Sequence, residues 1–307
     1  MKLCYLDLYR SGELGRRIEK LNEILTDCHL CPRECRVNRA EEEKGYCKST
    51  REMVVSSIGP HFGEENELVG RGGSGTIFLS HCSLGCLYCQ NFEISHLGQG
   101  KVISTEELAR GMLRLQSQGC HNINFVTPTH FTPQIVGGIK VAIEKGLKIP
   151  IVYNCGGYEK VETLRLLEGI VDIYMPDVKY SEAGPAKKFS NAPDYFEVCR
   201  EALKEMHRQV GDLEVSEEGL AERGLLIRHL VLPNNLAGSE AVLRFIAEKL
   251  SRESYVNIMP QYRPMYKASL YPEINRPPRL GEFNEALQMA KELGLHRGFS
   301  KRHLLIL

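Results

Sequence analysis

Residues 81–91, with the sequence HCSLGCLYCQN, place three cysteines in the spacing C-x3-C-x2-C. Three thiolates on one short loop can hold three irons of a 4Fe–4S cluster, and no fourth cysteine follows at the spacing found in ferredoxins. One iron would then lack a protein ligand. An open iron can bind a reactant, as a catalytic zinc does through its own open position. The loop therefore predicts a catalytic iron–sulfur centre at Cys82, Cys86 and Cys89.

Two plainer interpretations of this loop are a structural zinc site and three unrelated thiols. Structural zinc sites usually take four ligands from paired knuckles, which this loop lacks. The preceding residues 75–80, GTIFLS, are typical of a buried strand because they are rich in β-branched and aromatic side chains. The cysteines would then follow the carboxyl end of a strand, where parallel α/β sheets carry their functional sites.

After this loop the sequence alternates between apolar runs and amphipathic segments. Strands are predicted at residues 75–80, 123–126, 150–153, 171–175, 225–232 and 255–259, with helices between them and after the last. Ser104 and Glu107 predict a capping box at the first of these helices. Such alternation implies parallel pairing with right-handed crossovers. Because six units fall short of the eight of a closed barrel, we expect an α/β fold with an open, partial (β/α)6 barrel.

A second group of cysteines lies upstream in a polar stretch and comprises Cys28, Cys31, Cys35 and Cys47. A tetrathiolate metal site would stabilise such a segment. Zinc is the first candidate and a second iron–sulfur cluster the next, because the spacing matches neither common pattern closely. Reduced, unliganded thiols are the plain alternative. We expect this site to be structural and separable from catalysis, because it precedes the barrel. Residues 1–70 would form an N-terminal helix and Cys-rich metal-binding segment, and residues 71–307 the barrel.

The composition is that of an ordinary globular chain. It has 307 residues, 42% of them hydrophobic, and a formal net charge of zero. Lys and Arg are scattered, which argues against a nucleic-acid surface or a polybasic membrane patch. The first residues predict no secretory signal, and no apolar run approaches the roughly 20 residues of a membrane span. We therefore expect a cytoplasmic location, where clustered cysteines bind metal more often than they form disulfides.

Polar residues follow the predicted strands. Because the carboxyl ends of parallel strands share one rim, these side chains are expected to converge. They are Thr127, Thr129 and His130 after the second strand, Asn154 after the third, Asp177 and Lys179 after the fourth, Arg228 and His229 within the fifth, and Gln261 and Tyr262 after the sixth.

The cysteine loop, with Tyr88 before its third cysteine and Gln90 and Asn91 after it, resembles the radical S-adenosylmethionine (radical SAM) superfamily. In that superfamily the open iron binds the amino and carboxylate groups of SAM, and the fold is a partial barrel. The segments YNCGG (153–157), MPDVK (175–179) and VLPNN (231–235) are similar to those of pyruvate formate-lyase activating enzymes. The opening CPRECRVNR (31–39) is similar to a branch of that group called PflX-like.

This resemblance implies roles for residues at the strand ends. The candidates for SAM binding are Tyr88, Thr127, Asn154, Asp177, Lys179 and Arg228. SAM offers a carboxylate to Lys or Arg and ribose hydroxyls to Asp. The plain alternative for Asp177 and Lys179 is an ion pair that fastens strand to helix. The chain departs from the family where Thr127 and the residues after it replace a Gly-Gly-Glu motif, and where Tyr262 stands in place of a histidine.

The implied activity is reductive cleavage of SAM at the cluster, followed by abstraction of a hydrogen atom from a substrate. A flavodoxin or ferredoxin would supply the electron. One candidate function is generation of a glycyl radical on a partner enzyme. The alternatives are a radical SAM enzyme acting on a different protein or small molecule, and a non-enzymatic iron–sulfur redox protein.

Overall fold

The computed structural model describes residues 3–299. Residues 1–2, at the start of the predicted N-terminal part, and residues 300–307, at the end of the predicted barrel part, lie outside the described residues. The strands are β1 (Met53–His61), β2 (Ser74–Leu79), β3 (Lys101–Ile103), β4 (Ile123–Val126), β5 (Ile151–Cys155), β6 (Ile173–Val178), β7 (Glu214–Val215), β8 (Ala221–Leu230) and β9 (Tyr255–Met259). The helices are α1 (Cys4–Arg10), α2 (Glu13–Glu23), α3 (Asn66–Val69), α4 (Phe92–Ser95), α5 (Thr105–Ser117), α6 (Thr132–Glu144), α7 (Val161–Leu166), α8 (Ala183–Ser190), α9 (Tyr195–Val210), α10 (Ser239–Phe245) and α11 (Leu280–Glu292).

Six parallel strands form the body of the sheet, in the order β2-β4-β5-β6-β8-β9. At least one helix separates each strand from the next along the chain. The predicted α/β fold with a parallel sheet is confirmed. The strands predicted at residues 123–126 and 255–259 have the bounds of β4 and β9.

Three further strands extend the sheet with antiparallel pairing. β1 pairs with β2, β3 pairs with β1, and β7 pairs with β8. Because β1 and β2 are hydrogen-bonded neighbours, the sheet continues across position 70, where the sequence places the boundary between the two parts.

Helix α5 illustrates how the crossover helices form and pack. The Ser104 hydroxyl accepts a hydrogen bond from the Glu107 backbone at 3.2 Å, and the Glu107 carboxylate accepts one from the Ser104 backbone at 2.8 Å. The predicted capping box is therefore confirmed, and it satisfies two backbone donors at the helix start. Leu108, Met112 and Leu115 follow at helical spacing and are fully buried. Their burial fixes this helix against the sheet.

The barrel interior near the amino ends of the parallel strands is closed by packing. β1 runs antiparallel to β2 and ends opposite Ser74, so the chain after β1 begins at that end. An apolar cluster there contains Leu68, Val152, Ile173, Met175, Leu213, Ala221, Leu226 and Tyr255. Space for a ligand is consequently found toward the carboxyl ends. Within residues 3–299, every helix is too short or too polar to cross a membrane.

Candidate functional site

A cavity of about 260 Å³ lies at the carboxyl ends of the parallel strands. It is lined by the cysteine loop and by the ends of β2, β4, β5, β6, β8 and β9. Every residue predicted for the cluster and for SAM lies on its wall, namely Cys82, Cys86, Cys89, Tyr88, Thr127, Asn154, Asp177, Lys179 and Arg228. The strand-end argument therefore brought these residues to one cavity, while the ligand that each residue holds stays a prediction.

The cysteine loop has a backbone that few side chains tolerate. His81 and Gly85 both have a φ of 69°. A Cβ on Gly85 would also lie 3.0 Å from the Tyr46 hydroxyl. Glycine therefore allows the loop to turn between its first two cysteines while it contacts the N-terminal segment.

Each loop cysteine sulfur accepts a hydrogen bond. The donors are the Leu84 backbone to Cys82 at 3.3 Å, the Ser190 hydroxyl to Cys86 at 3.0 Å and the Ser95 hydroxyl to Cys89 at 3.2 Å. Hydrogen bonds to sulfur are among the features that tune iron–sulfur centres. Such donors compensate part of the cost of burying thiolate charge.

Burial raises the pKa of the Cys82 thiol to about 12 and raises that of Cys86 as well. A thiolate in this place therefore needs a positively charged partner. The iron of a cluster is such a partner, because metal-ligand thiols are deprotonated on binding. Three sulfurs that each accept a hydrogen bond, on the wall of one cavity, fit a 4Fe–4S cluster.

Asp177 lies between two cations on the cavity wall. Its Oδ1 accepts from Arg228 Nε at 2.7 Å, and its Oδ2 accepts from Lys179 Nζ at 2.6 Å. Burial alone would raise the pKa of the Asp177 carboxyl, but the two cations outweigh burial and hold that pKa below its usual range. Asp177 is therefore an anion that organises both cations.

Arg228 has two further partners. Its Nη2 donates to Asn154 Oδ1 at 2.7 Å, and its Nη1 donates to Glu64 Oε2 at 3.3 Å. Burial raises the pKa of the Glu64 carboxyl despite this nearby guanidinium. Glu64 was missed from the sequence because it lies 164 residues from Arg228, in a loop without a recognisable motif.

Thr127 has a strained backbone on the wall of the cavity. Its φ of 59° is uncommon for a β-branched residue, and its backbone N–H donates to the Asn154 carbonyl at 2.8 Å. Strain of this kind is concentrated at functional sites. The position is thus consistent with the predicted cofactor role of Thr127.

Two strand-end histidines do not join this cavity, contrary to expectation. His229 is buried elsewhere, with ring nitrogens near the Val178 carbonyl at 2.8 Å and the Ser239 hydroxyl at 2.9 Å. It alternates in orientation with Arg228, because successive strand side chains point to opposite faces. His130 instead lines the wall of a second cavity.

This second cavity contains all four N-terminal cysteines. Its lining includes Cys28, Cys31, Cys35, Cys47, Arg33, Arg39 and His130. The Tyr46 backbone N–H donates to Cys35 Sγ at 3.2 Å. Gly45 packs so tightly on Cys35 that an added Cβ would lie 2.7 Å from its sulfur. The sequence grouping of these cysteines is therefore also a spatial one.

Neither cysteine group forms a preset mononuclear ion site. Among residues 3–299, no three Cys, His, Asp or Glu side chains are arranged to hold a single metal ion. Each group instead lines a cavity.

Comparison with known proteins gives a family match and two similar sequences. Residues 76–217 match the model of the radical SAM superfamily. The uncharacterized protein MJ0674 of Methanocaldococcus jannaschii is 34% identical over 298 residues, covering 94% of this chain and 82% of that protein. The uncharacterized protein MJ0808 of the same organism is 24% identical, covering 91% of this chain and 81% of its own length.

A similar solved structure is that of HydG, a maturase of the [FeFe]-hydrogenase. It aligns with a TM-score of 0.50 at 16% sequence identity and covers 72% of this chain. The aligned part spans 49% of the HydG chain, so this likeness concerns the fold alone.

Proposed function

Because this chain belongs to the radical SAM superfamily, we propose that it abstracts a hydrogen atom from its substrate at the 260 Å³ cavity. When bound there, a 4Fe–4S cluster and SAM supply the one-electron reductive cleavage on which such abstraction depends. The observation that carries the proposal is the meeting of the three loop cysteines with the Asp177 ion-pair network on one cavity wall.

The cavity residues divide into ligands and positioning groups. Cys82, Cys86 and Cys89 would hold the cluster. Lys179 uses one of its N–H bonds on Asp177 and has two others to offer a carboxylate. Arg228 already donates to three protein groups, so it holds Asp177 in place. Lys179 is thus the better candidate for the SAM carboxylate, and Arg228 is a positioning residue.

Buried aromatic rings support the loop. Tyr88 lies edge-on to Tyr262 at 5.4 Å between ring centroids and edge-on to Tyr180 at 6.4 Å. All three side chains are nearly inaccessible to water. Their packing excludes water from the side of the loop that carries Tyr88. Exclusion of water strengthens electrostatic interactions in the cavity.

For the substrate, our proposal is a partner protein on which a glycyl radical is formed. The similarity of the strand-end segments to those of activating enzymes supports it. A surface observation supports it as well: Tyr266 stacks on Phe92 at 5.3 Å, and Leu97, Met265 and Leu270 are exposed in the two segments joined by that contact. The Lys267 backbone donates to the Leu87 carbonyl at 3.0 Å, so these exposed side chains belong to segments beside the cysteine loop. Exposed apolar side chains of this kind suit contact with a protein.

The test is anaerobic incubation of reconstituted enzyme with SAM and dithionite, followed by measurement of 5′-deoxyadenosine. A flavodoxin or ferredoxin should replace dithionite as the electron donor. Product formation that is lost in the Cys82→Ala/Cys86→Ala/Cys89→Ala variant supports the proposed chemistry. An iron-loaded enzyme without this product would instead be a redox carrier.

A second experiment addresses the substrate. Candidate glycyl-radical enzymes are added to the reaction and examined by electron paramagnetic resonance. A protein-centred radical that depends on SAM supports the activase function. Cleavage of SAM without such a radical, across the candidates, would assign the enzyme to another substrate.

A further inference from the structure

The second cavity contains a fifth potential metal donor. His130 is 1% exposed and lines this cavity with the four cysteines. Its Nε2 lies 2.7 Å from the Ser80 carbonyl, and its Nδ1 has no hydrogen-bond partner. A carbonyl only accepts, so Nε2 holds the proton and Nδ1 has a lone pair available. Metal-ligating histidines typically show this arrangement, donating their other ring N–H to a backbone carbonyl.

The histidine is fixed in place from the N-terminal side. Arg39, also 1% exposed, donates from Nη1 to the His130 carbonyl at 2.7 Å and from Nη2 to the Thr50 carbonyl at 2.6 Å. A buried guanidinium bridging two carbonyls locks the strand-end turn to the Cys-rich segment. A buried imidazole nitrogen without a hydrogen-bond partner, on a residue that lines the cavity of the four cysteines, is costly unless a ligand uses it.

The same N-terminal segment is hydrogen-bonded to the loop that carries Cys82, Cys86 and Cys89. Arg33 donates to the carbonyls of Ser83 at 3.0 Å, Leu84 at 3.1 Å and Ser190 at 2.9 Å. Its guanidinium lies 3.9 Å from the centre of the Tyr46 ring, and the Tyr46 hydroxyl also donates to the Leu84 carbonyl at 3.3 Å. Arg33 belongs to the same turn as Cys31 and Cys35. Movement of those cysteines would therefore be transmitted to the loop.

We propose that His130 and thiolates from among Cys28, Cys31, Cys35 and Cys47 supply the four protein ligands of a second metal centre that braces the loop carrying Cys82, Cys86 and Cys89. The bracing contacts are those of Arg33 and Tyr46 on one side, and of His130 with Ser80 on the other. The segments that carry the two cysteine groups are therefore in contact, although the sequence predicts that the N-terminal site is separable from catalysis. The brace rests on the proposed function, because it acts on the loop assigned to the catalytic cluster; the metal centre itself does not.

The first experiment measures metal content in the Cys82→Ala/Cys86→Ala/Cys89→Ala variant. About one zinc per chain, or iron with matching sulfide, should remain and should disappear when Cys31→Ala and Cys47→Ala are added. Zinc identifies a mononuclear centre and iron with sulfide a cluster. A metal-free triple variant overturns the second centre, while SAM cleavage by the unaltered enzyme would still support the proposed function.

The second experiment isolates His130. In the same triple-variant background, His130→Gln keeps an amide N–H for Ser80 and removes the imidazole lone pair. Metal retention against a competing chelator should weaken by roughly 10-fold or more, since even the loss of a partner that only orients a ligand typically weakens metal binding by that factor. His229→Gln is the matched control, because that buried histidine has partners on both nitrogens and lies outside the second cavity. Equal retention in the two variants would remove His130 from the centre.

The third experiment measures the brace by amide hydrogen exchange of residues 82–90. Exchange should accelerate in Cys31→Ala/Cys47→Ala and also in Arg33→Ala, with N-terminal metal still bound in the latter. Arg36→Ala is the control, since Arg36 is on the same segment but pairs with Asp27 and Glu34 at the surface. Unchanged exchange in both test variants would make the N-terminal centre purely local.

Discussion

Asp177 and Arg228 are strand neighbours in β6 and β8, and their side chains meet at 2.7 Å above the packed barrel interior. The two residues are 51 positions apart in the sequence. Lys179 donates a hydrogen bond to the other Asp177 oxygen, and Arg228 also donates one to Glu64. The four side chains therefore form one connected network. Removing any member should therefore alter the others.

Arg228→Ala should destabilise the protein by roughly 3–5 kcal/mol, because it leaves Asp177 and Glu64 buried without their guanidinium partner. Chemical denaturation of the apoprotein measures this loss. Arg223→Ala is the control, since Arg223 lies on the same strand and donates to the Gln209 carbonyl rather than to a carboxylate. Equal losses in both variants would contradict a special role for the Asp177–Arg228 pair.

Lys179→Ala should weaken SAM binding by about 10–100-fold while leaving cluster content unchanged. The loss of one charged hydrogen-bond partner in a desolvated cavity costs roughly 1.5–3 kcal/mol. Titration with SAM, followed through the electron paramagnetic resonance spectrum of the reduced cluster, gives the midpoint. Lys188→Ala, on the exposed side of α8, should leave that midpoint in place. A midpoint unaffected by Lys179→Ala would make the pair structural.

Single replacements of Cys82, Cys86 or Cys89 by Ala should each abolish SAM cleavage and the brown chromophore of the catalytic centre. Two thiolates cannot replace three on a cluster with an open iron. Absorption spectroscopy and iron analysis provide the measurement. Cys120→Ala is a suitable control, because Cys120 is a buried free cysteine that does not line the cavity. Full cleavage in any of the three single variants would refute the ligand assignment.

Gly45→Ala should disturb the N-terminal cysteines, since its Cβ would lie 2.7 Å from both Cβ and Sγ of Cys35. Metal content of residues 28–47 should fall, and proteolysis should begin there. Gly15→Ala in α2 meets no atom within 4 Å and should stabilise the protein by about 0.5–1 kcal/mol. If Gly45→Ala retains normal metal content, the close packing on Cys35 has no bearing on the site.

Glu159 should make stability decline with rising pH. Burial raises the pKa of this carboxyl from 4.5 to about 7, although Thr129 and Tyr153 donate to it. The folded protein favours the protonated form, so this contribution is complete below pH 4.5 and is lost as the pH rises through about 7. A shift of this size is on the order of 3 kcal/mol. Glu159→Gln should flatten the curve of unfolding free energy against pH, whereas exposed Glu162→Gln should not.

Local patterns were sufficient for much of the fold and of the main cavity. The apolar runs of β4 and β9 gave their bounds, and the capping box gave the start of α5, because each signal depends on neighbouring residues. Asp177 and Lys179 were placed by the simple geometry of strand ends.

Contacts between distant segments could not be predicted in this way. Glu64 reaches Arg228 only because β1 turns back along β2, a pairing that periodicity does not encode. The assignment of His130 to the main rim was wrong for a related reason. The residue follows a strand as expected, but its ring turns to Ser80 and the N-terminal cysteines. A buried arginine such as Arg39 gives no sequence signal of the carbonyls that it bridges.

The ends of the main strand path bear on how the protein behaves when concentrated. In the sheet the strands follow the order β3-β1-β2-β4-β5-β6-β8-β7, with β9 paired to β8 outside this order. The order begins with β3, which has three residues, and ends with β7, which has two. Lys101 and Glu214 place charges at these ends. Short, charged edge strands discourage the strand-to-strand addition that starts aggregation. Apoprotein at the concentrations needed for spectroscopy should therefore resist growth from these two edges before its iron is inserted.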